Sequence, residues 1–287
     1  MSIRSRLRVL FVFGTRPEAI KLAPVIRELR RRPSFRVSVC VTAQHRGLLD
    51  QVLRVFRLRP DHDLDIMTER QNLFQVTTRT LQRLEPVLKQ ERPGVLFVQG
   101  DTTSAFAAAL SAFYERIPVA HVEAGLRTYD LSQPYPEELN RRLISPMAQF
   151  NFAPTRLAGE HLRAERIPEE TIFVTGNTVI DALLQMTGGI KGQGSGRNVK
   201  CQMSNVKRPD TRDLQSSIFS HQSSIRTPAS QFPAPGRRLI LVTAHRRENF
   251  GAPLANICRA LLRIAQQVPD VEIVYPVHPN PDRKSVV

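Results

Sequence analysis

Three acidic residues stand where a folded chain can bring them together: Asp101, Glu123 and Glu137. Asp101 follows the apolar run Val95 to Gln99 and the chain-breaking Gly100. Glu123 follows a second run, Ile117 to Ala120, and precedes Gly125. Glu137 comes after a proline-rich turn, four residues ahead of Arg141. Carboxylates in unlike environments can divide the giving and taking of protons, and cations beside them hold a departing negative charge. The candidate cations are Arg16 and Lys21, at the turn after the first apolar run, Arg141, and the group His245-Arg246-Arg247 after a later run. Each residue alone has a plainer reading. Asp101 would cap the helix after it, Glu137 and Arg141 would form an exposed helix pair, and residues 245–247 would be a solvated basic loop. His121, following a strand, reads as a core histidine with a satisfied ring. Two carboxylates after consecutive strands, with a third close behind, make a shared cleft as good a reading as these.

The elements that must position them alternate. Val9 to Phe13 reads as a strand. Gly14-Thr15-Arg16-Pro17 is its turn, with Pro17 suited to the first position of a helix reaching about Arg31. The helix start offers amide donors to a phosphate, with Arg16 and Lys21 adding charge. Strand two is Phe35 to Val41, followed by a turn containing Gln44 and a helix from about Gly47 to Phe56. Leu58 to Thr68 reads as irregular, and Gln71 to Lys89 as helix. After the Val95 to Ala120 unit come a helix near Glu138 to Met147, a strand at Phe150 to Phe152 and a helix near Arg156 to Arg163. A strand at Ile172 to Val174 and a helix over Val179 to Met186 complete a doubly wound parallel domain, residues 1–187. In such sheets ligands sit beyond the carboxyl ends of the strands, where Asp101 and Glu123 fall. Residues 188–238 differ in kind: rich in Gly, Ser, Gln, Pro and basic residues, they are expected to be a disordered linker. The α/β grammar restarts over residues 239–287, with strands at Leu239 to Thr243 and Val271 to Tyr275, a helix between them, and His278 just beyond. Two strands and a helix are short of a domain, so this part reads as cut short.

Composition narrows the classes. A 287-residue chain with 41% hydrophobic residues has room for a proper core. The net charge of +15 invites a nucleic-acid reading. Residues 188–238 hold nine Lys or Arg against two Asp, however, so much of the excess lies in the expected linker and no specific nucleic-acid partner is indicated. No stretch approaches the roughly 20 apolar residues that span a bilayer, and the apolar run at Val9 to Phe13 is too short for a secretory signal, so no membrane partner is expected. Cys40, Cys201 and Cys258 are far apart; buried free thiols, and with them a reducing cytoplasmic setting, are expected. No metal-ligand spacing appears.

Several stretches resemble the non-hydrolysing UDP-N-acetylglucosamine 2-epimerases: FGTRPEAIKLAPVI from Phe13, VTAQHRGLLDQVL from Val41, QGDTTS from Gln99, HVEAGLRT from His121, PEELNRRL from Pro136, TGNTVIDALL from Thr175, VTAHRRENFG from Val242 and VYPVHPNP from Val274. The resemblance implies an α/β fold of two Rossmann-like domains of GT-B type, here with the second incomplete. It implies no cofactor and a sugar-nucleotide substrate. The reaction would interconvert UDP-GlcNAc and UDP-ManNAc by elimination of UDP to 2-acetamidoglucal and re-addition. Asp101, Glu123, Glu137 and His245 take catalytic positions in it; Arg16, Lys21, Arg141, Gln44 and His278 take substrate positions. The chain ends before the family's remaining uridine-binding segments. The epimerase, with a second copy of the chain as its expected protein partner in a homodimer, is the main reading; a GT-B glycosyltransferase and a truncated inactive fragment are the alternatives.

Overall fold

Strand β1 (Leu7–Phe13) is apolar without a break from Val9 to Phe13, and all five of these side chains are buried. A strand apolar on both faces belongs between two layers. A computed structural model of the chain shows those layers and describes residues 6–42, 46–68, 71–188, 236–243 and 252–275. The chain divides into two units, Met1–Val199 and Lys200–Val287.

In the first unit β1 is followed by α1 (Arg16–Arg31), β2 (Phe35–Val41), α2 (Arg46–Val55), β3 (His62–Asp63), α3 (Leu73–Glu91), β4 (Val95–Gln99) and α4 (Thr103–Tyr114). Then come β5 (Val119–Val122), α5 (Glu137–Met147), β6 (Ala148–Ala153), α6 (Arg156–Ala164), β7 (Ile172–Val174) and α7 (Thr178–Gly188). The seven strands form one parallel sheet in the order β3-β2-β1-β4-β5-β6-β7. Strand order reverses between β1 and β4, which opens a crevice at their carboxyl ends. Val9, Phe11 and Phe13 pack with α1, α2 and Ala182 of α7; Leu10 and Val12 pack on the other face with α3, α4 and Ile144 of α5. On the α1 face, Phe97, Phe152, Phe150 and Phe173 carry a row of rings across β4, β6 and β7. Phe150 and Phe173 each remain 39% exposed.

The second unit pairs β8 (Arg238–Leu241) with β9 (Val271–Val274) in parallel, joined through α8 (Ala252–Gln267). Arg238 grips Asp270 through two hydrogen bonds of 2.8 and 2.9 Å. Among the described residues no helix is long and apolar enough to cross a membrane. Cys40 is buried as expected, Cys258 is only half-buried, and Cys201 lies outside the described residues, as does most of 188–238.

Three expectations shift. The fifth strand is Val119–Val122, two residues later than the apolar run, because Ile117 is drawn back to close α4 through its N–H to the carbonyl of Ala112. His121 therefore lies inside the strand. The irregular Leu58 to Thr68 stretch contains β3, a two-residue edge strand beside Cys40 and Val41. Helix α1 begins one residue early, at Arg16, leaving Pro17 at its second position.

Four helix ends share one conformation. Arg57, Arg92, Arg116 and Arg166, just past α2, α3, α4 and α6, have φ of 52, 44, 55 and 61°. This left-handed position is where glycine normally ends a helix. A side chain there costs about 1–2 kcal/mol, and a cation near the helix end returns only about 0.3–1 kcal/mol. Helix capping alone does not favour arginine at these places.

Candidate functional site

The turn after β4 shows why Asp101 is not a cap. Thr102 takes that role: its hydroxyl accepts from the N–H of Ala105 at 3.0 Å and donates to Oε1 of Glu18 at 2.8 Å. Asp101 is left to face the crevice. Its main chain is held from three sides. The N–H of Gly100 donates to the carbonyl of Val122 at 3.0 Å. Nε2 of His121 bonds the Gly100 carbonyl at 2.7 Å, and Nδ2 of Asn140 donates to the Asp101 carbonyl at 2.9 Å. Gly100 turns with φ of 70°.

Glu123 follows β5 directly, in the left-handed region at φ 69°. Strain of this kind in a non-glycine residue persists where surroundings enforce it and concentrates at functional sites. Here the enforcement is visible. Its carboxylate pairs with Nζ of Lys21 and accepts from Nε2 of Gln99 at 2.6 Å and Nδ2 of Asn177 at 3.3 Å. Two residues on, Gly125 has φ of 86°, and a Cβ there would lie 2.2 Å from the carbonyl oxygen of Ala158. Only glycine lets β5 turn this close to α6.

Glu137 opens α5, half-buried. The expected exposed pair between Glu137 and Arg141 does not form. Arg141 is buried, and its Nε lies 3.4 Å from Asp101 and 3.2 Å from Glu138. Glu138 is wholly buried and accepts from the N–H groups of Thr128 at 3.0 Å and Tyr129 at 3.1 Å, fastening the loop that leads into α5. The Glu137 side chain, by contrast, makes no hydrogen bond or ion pair among the described residues, and its charge acts on Asp101.

The electrostatics follow. Burial pushes the Asp101 carboxyl above the ordinary aspartate range; Arg141 pulls it down, Glu137 and Glu123 push it up, and Lys21 pulls it down again. Glu123 and Glu137 thus both act on Asp101 from across the crevice. Burial holds the His121 imidazole down at about 4, with Arg127 and Arg141 acting in the same direction, so the ring is neutral at physiological pH. Its Nδ1 is buried with no hydrogen-bond partner, so the expected core histidine is satisfied at one nitrogen only.

The turn after β1 behaves otherwise than expected. The N–H groups of Gly14 and Thr15 both donate to Oε2 of Glu18, at 3.1 and 2.7 Å. A buried internal carboxylate thus takes up two of the amides at the turn that the sequence offered as donors to a phosphate. Burial raises its carboxyl above the usual range against the hydrogen bonds that lower it. Lys21, one turn further along α1, joins the acids through Glu123. Arg16 instead lines a groove of about 430 Å³ with Ile20, Val52, Val55, Val179 and Met186, and no described contact joins it to the acids. Gln44, His245 and His278 lie outside the described residues. A second hollow, of about 280 Å³, reaches Glu123 from the side of Phe97, Phe152 and Asn177.

Glu18, Gln99, Asn140, Glu138 and Asn177 were not picked out as site residues from the sequence. For Glu18 a signal was present, since Thr15-Arg16-Pro17-Glu18 has capping-box spacing. For the others nothing local distinguishes them from surface polar residues. No group of three or more potential metal ligands occurs among the described residues.

A reversing parallel sheet with helices on both faces, and acids paired with cations at the switch point, defines a doubly wound α/β protein of Rossmann-like kind. The family model described as UDP-N-acetylglucosamine 2-epimerase matches residues 27–287. The chain belongs to that family. It is 47% identical over 276 residues to the UDP-N-acetylglucosamine 2-epimerase of Yersinia pestis, covering 96% of this chain and 66% of that protein. To the Escherichia coli K12 protein of the same name it is 46% identical over 281 residues, covering 98% and 68%. The structure of the Neisseria meningitidis UDP-GlcNAc 2-epimerase bound to UDP-GlcNAc aligns at 43% identity with a TM-score of 0.75, over 96% of this chain and 67% of that one. A putative UDP-N-acetylglucosamine 2-epimerase from Listeria monocytogenes aligns at 40% identity and a TM-score of 0.78, over 98% and 65%. The chain therefore spans about two thirds of the length of these relatives.

Proposed function

We propose that this site interconverts UDP-GlcNAc and UDP-ManNAc. The observation that carries the reading is the meeting of Asp101, Glu123 and Glu137 with Lys21 and Arg141 at the carboxyl ends of β4 and β5. Inversion at C2 of the sugar is demanding because no carbonyl acidifies that proton. In the proposed route one carboxylate takes the C2 proton, the C1–O bond to UDP breaks, and the electron pair forms the C1=C2 bond of 2-acetamidoglucal. UDP then adds back at C1 while a proton reaches C2 from the opposite face. Acids on separate loops suit proton transfer at both faces. Asp101, whose carboxyl is raised by burial, is suited to hold a proton. Lys21 and Arg141, with Arg16 and His245, would serve the departing diphosphate.

Residues 1–187 would supply the acids and 239–287 part of the uridine-diphosphate site, with 188–238 linking them. The protein would work in the cytoplasm as a homodimer, without a cofactor. Incubation with UDP-GlcNAc in deuterated water tests the reaction. UDP-ManNAc bearing deuterium at C2 is the expected product; inertness until a sugar acceptor is added would instead indicate glycosyl transfer, and inertness in both cases would sink the proposal for this chain.

A further inference from the structure

The amino edge of the seven-stranded sheet, opposite the acid site, carries a second charged surface. Arg8 and Arg36 are register partners on β1 and β2, so two guanidinium groups stand on adjacent strands. Like charges placed so are unfavourable by themselves. Arg57 and Arg59 lead into β3, Arg92 into β4, Arg116 into β5 and Arg166 into the turn before β7. All seven are exposed, and none is in an ion pair among the described residues.

The acids of this edge are mostly engaged elsewhere. Glu28 is held by Arg31 and Arg32, Asp61 by Arg30, Glu165 by Arg127 and Arg142, and Glu91 by His62 and Ser38, with the Arg36 charge also acting on it. Glu115 and, just before β7, Glu169 and Glu170 are exposed acids within the row, Glu169 being paired with Arg163.

The arginines lie on both faces of the sheet rather than along a line. Arg57 follows α2, which packs on one face; Arg92 and Arg116 follow α3 and α4 on the other, the face to which Arg8, in phase with Leu10 and Val12, and Arg36, in phase with Cys40, also belong. At about 4.8 Å per strand, the row from β3 to β7 runs roughly 29 Å. Leu7, Phe113 and Tyr114, 45%, 54% and 68% exposed, add apolar groups at the same edge. A plane of forked donors with apolar side chains among them matches a plane of phosphates above an apolar layer. A single nucleic-acid strand would use a line of cations.

We propose that the amino edge docks on an anionic lipid surface, its arginines on headgroup phosphates, leaving the acid site at the far edge open to solvent. Such contact needs no membrane-spanning segment, so it goes beyond the expectation of no membrane partner, which rests on the lack of one. It stands independently of the epimerase reading.

The four left-handed arginines make the test clean, because glycine keeps their backbone while removing the charge. The 287-residue chain is sedimented with phosphatidylcholine vesicles containing about 30% phosphatidylglycerol, with phosphatidylcholine alone as control. Binding only to the anionic vesicles, weakened by added salt, is expected. Substitution of Arg57, Arg92, Arg116 and Arg166 together by glycine should weaken it at least about tenfold, and lysine at the same places should restore most of it. Should the fourfold variant fail to fold, Arg8→Gln with Arg36→Gln and Arg59→Gln reads the same surface. Undiminished binding in a folded variant would assign the affinity to the basic residues of 188–238 and overturn the proposal. So would a wild-type chain that ignores anionic vesicles, or one that single-stranded RNA strips from them at equal phosphate concentration.

Discussion

At the carboxyl edge of the sheet the left-handed residues after β3, β4, β5 and β7 are Asp65, Gly100, Glu123, Gly125, Tyr129 and Gly176; just past four helices at the amino edge they are Arg57, Arg92, Arg116 and Arg166. The backbone conformation is shared, but the reasons for it differ. At Gly125 another main chain crowds the turn, so a side chain is excluded. At Glu123 three donors gather around one carboxylate. The cations Lys21 and Arg141 are each matched to an acid there. At the amino edge the arginines end helices at the surface, side chains are tolerated, and their charges stay unmatched. Crowding and pairing mark the carboxyl edge; openness and unmatched charge mark the amino edge.

The contrast breaks most sharply at Asp101. Asp101→Asn should slow turnover by about 10²–10⁴-fold, the contribution of a general acid or base. Stability should not fall with it. A carboxyl whose folded pKa is raised favours folding in its protonated form and loses that advantage as pH rises through the folded value. At neutral pH the neutral amide should therefore leave the melting temperature unchanged or higher. A well-folded variant with full epimerase rate would end the catalytic assignment.

Next comes Gly125→Ala, where a clash with the Ala158 carbonyl adds to an unfavourable φ. A loss of about 3–5 kcal/mol in urea unfolding is expected; a loss under 1 kcal/mol, roughly the cost of an ordinary surface change, would show that the edge is not crowded.

His121 gives a pH-dependent version of the same contrast. Its folded value of about 4 lies below the ordinary 6.5, so the unfolded chain takes up a proton first as pH falls. The stability it contributes is complete above 6.5 and drains away towards 4, by as much as about 3 kcal/mol. His121→Asn should lack that component, and parallel stability curves for the two proteins would refute it.

The smallest effect belongs to the amino edge. Arg116→Gly exchanges backbone strain for unfolded-state freedom and should stay within about 1 kcal/mol of wild type in the same unfolding measurement. A larger loss would show that the arginine supports the fold.

Much of this was legible in the residues. Continuous apolar runs at Val9 to Phe13 and Val95 to Gln99 announce strands buried on both faces, and breakers such as Gly14 and Gly100 mark their ends. That Asp101 and Glu123 share an edge followed from those strands being parallel. What stayed hidden depended on partners distant in sequence. Nothing near Arg141 says that it turns to Asp101 and Glu138 rather than to Glu137. Ile117 looks like a strand residue because its hydrophobicity is plain and its bond back to Ala112 is not. Glu138, beside Glu137 in the same motif, is buried while its neighbour faces the crevice, a choice made by the loop N–H groups of Thr128 and Tyr129.

Glu18 has a mechanical consequence. One oxygen of its carboxylate grips the turn after β1 and the other grips Thr102, beside Asp101. The two loops flanking the switch point are thereby yoked. A ligand that pulls on the start of α1 must carry the Asp101 turn along with it, so the spacing between cation and acid across the crevice travels as one piece instead of opening like a hinge.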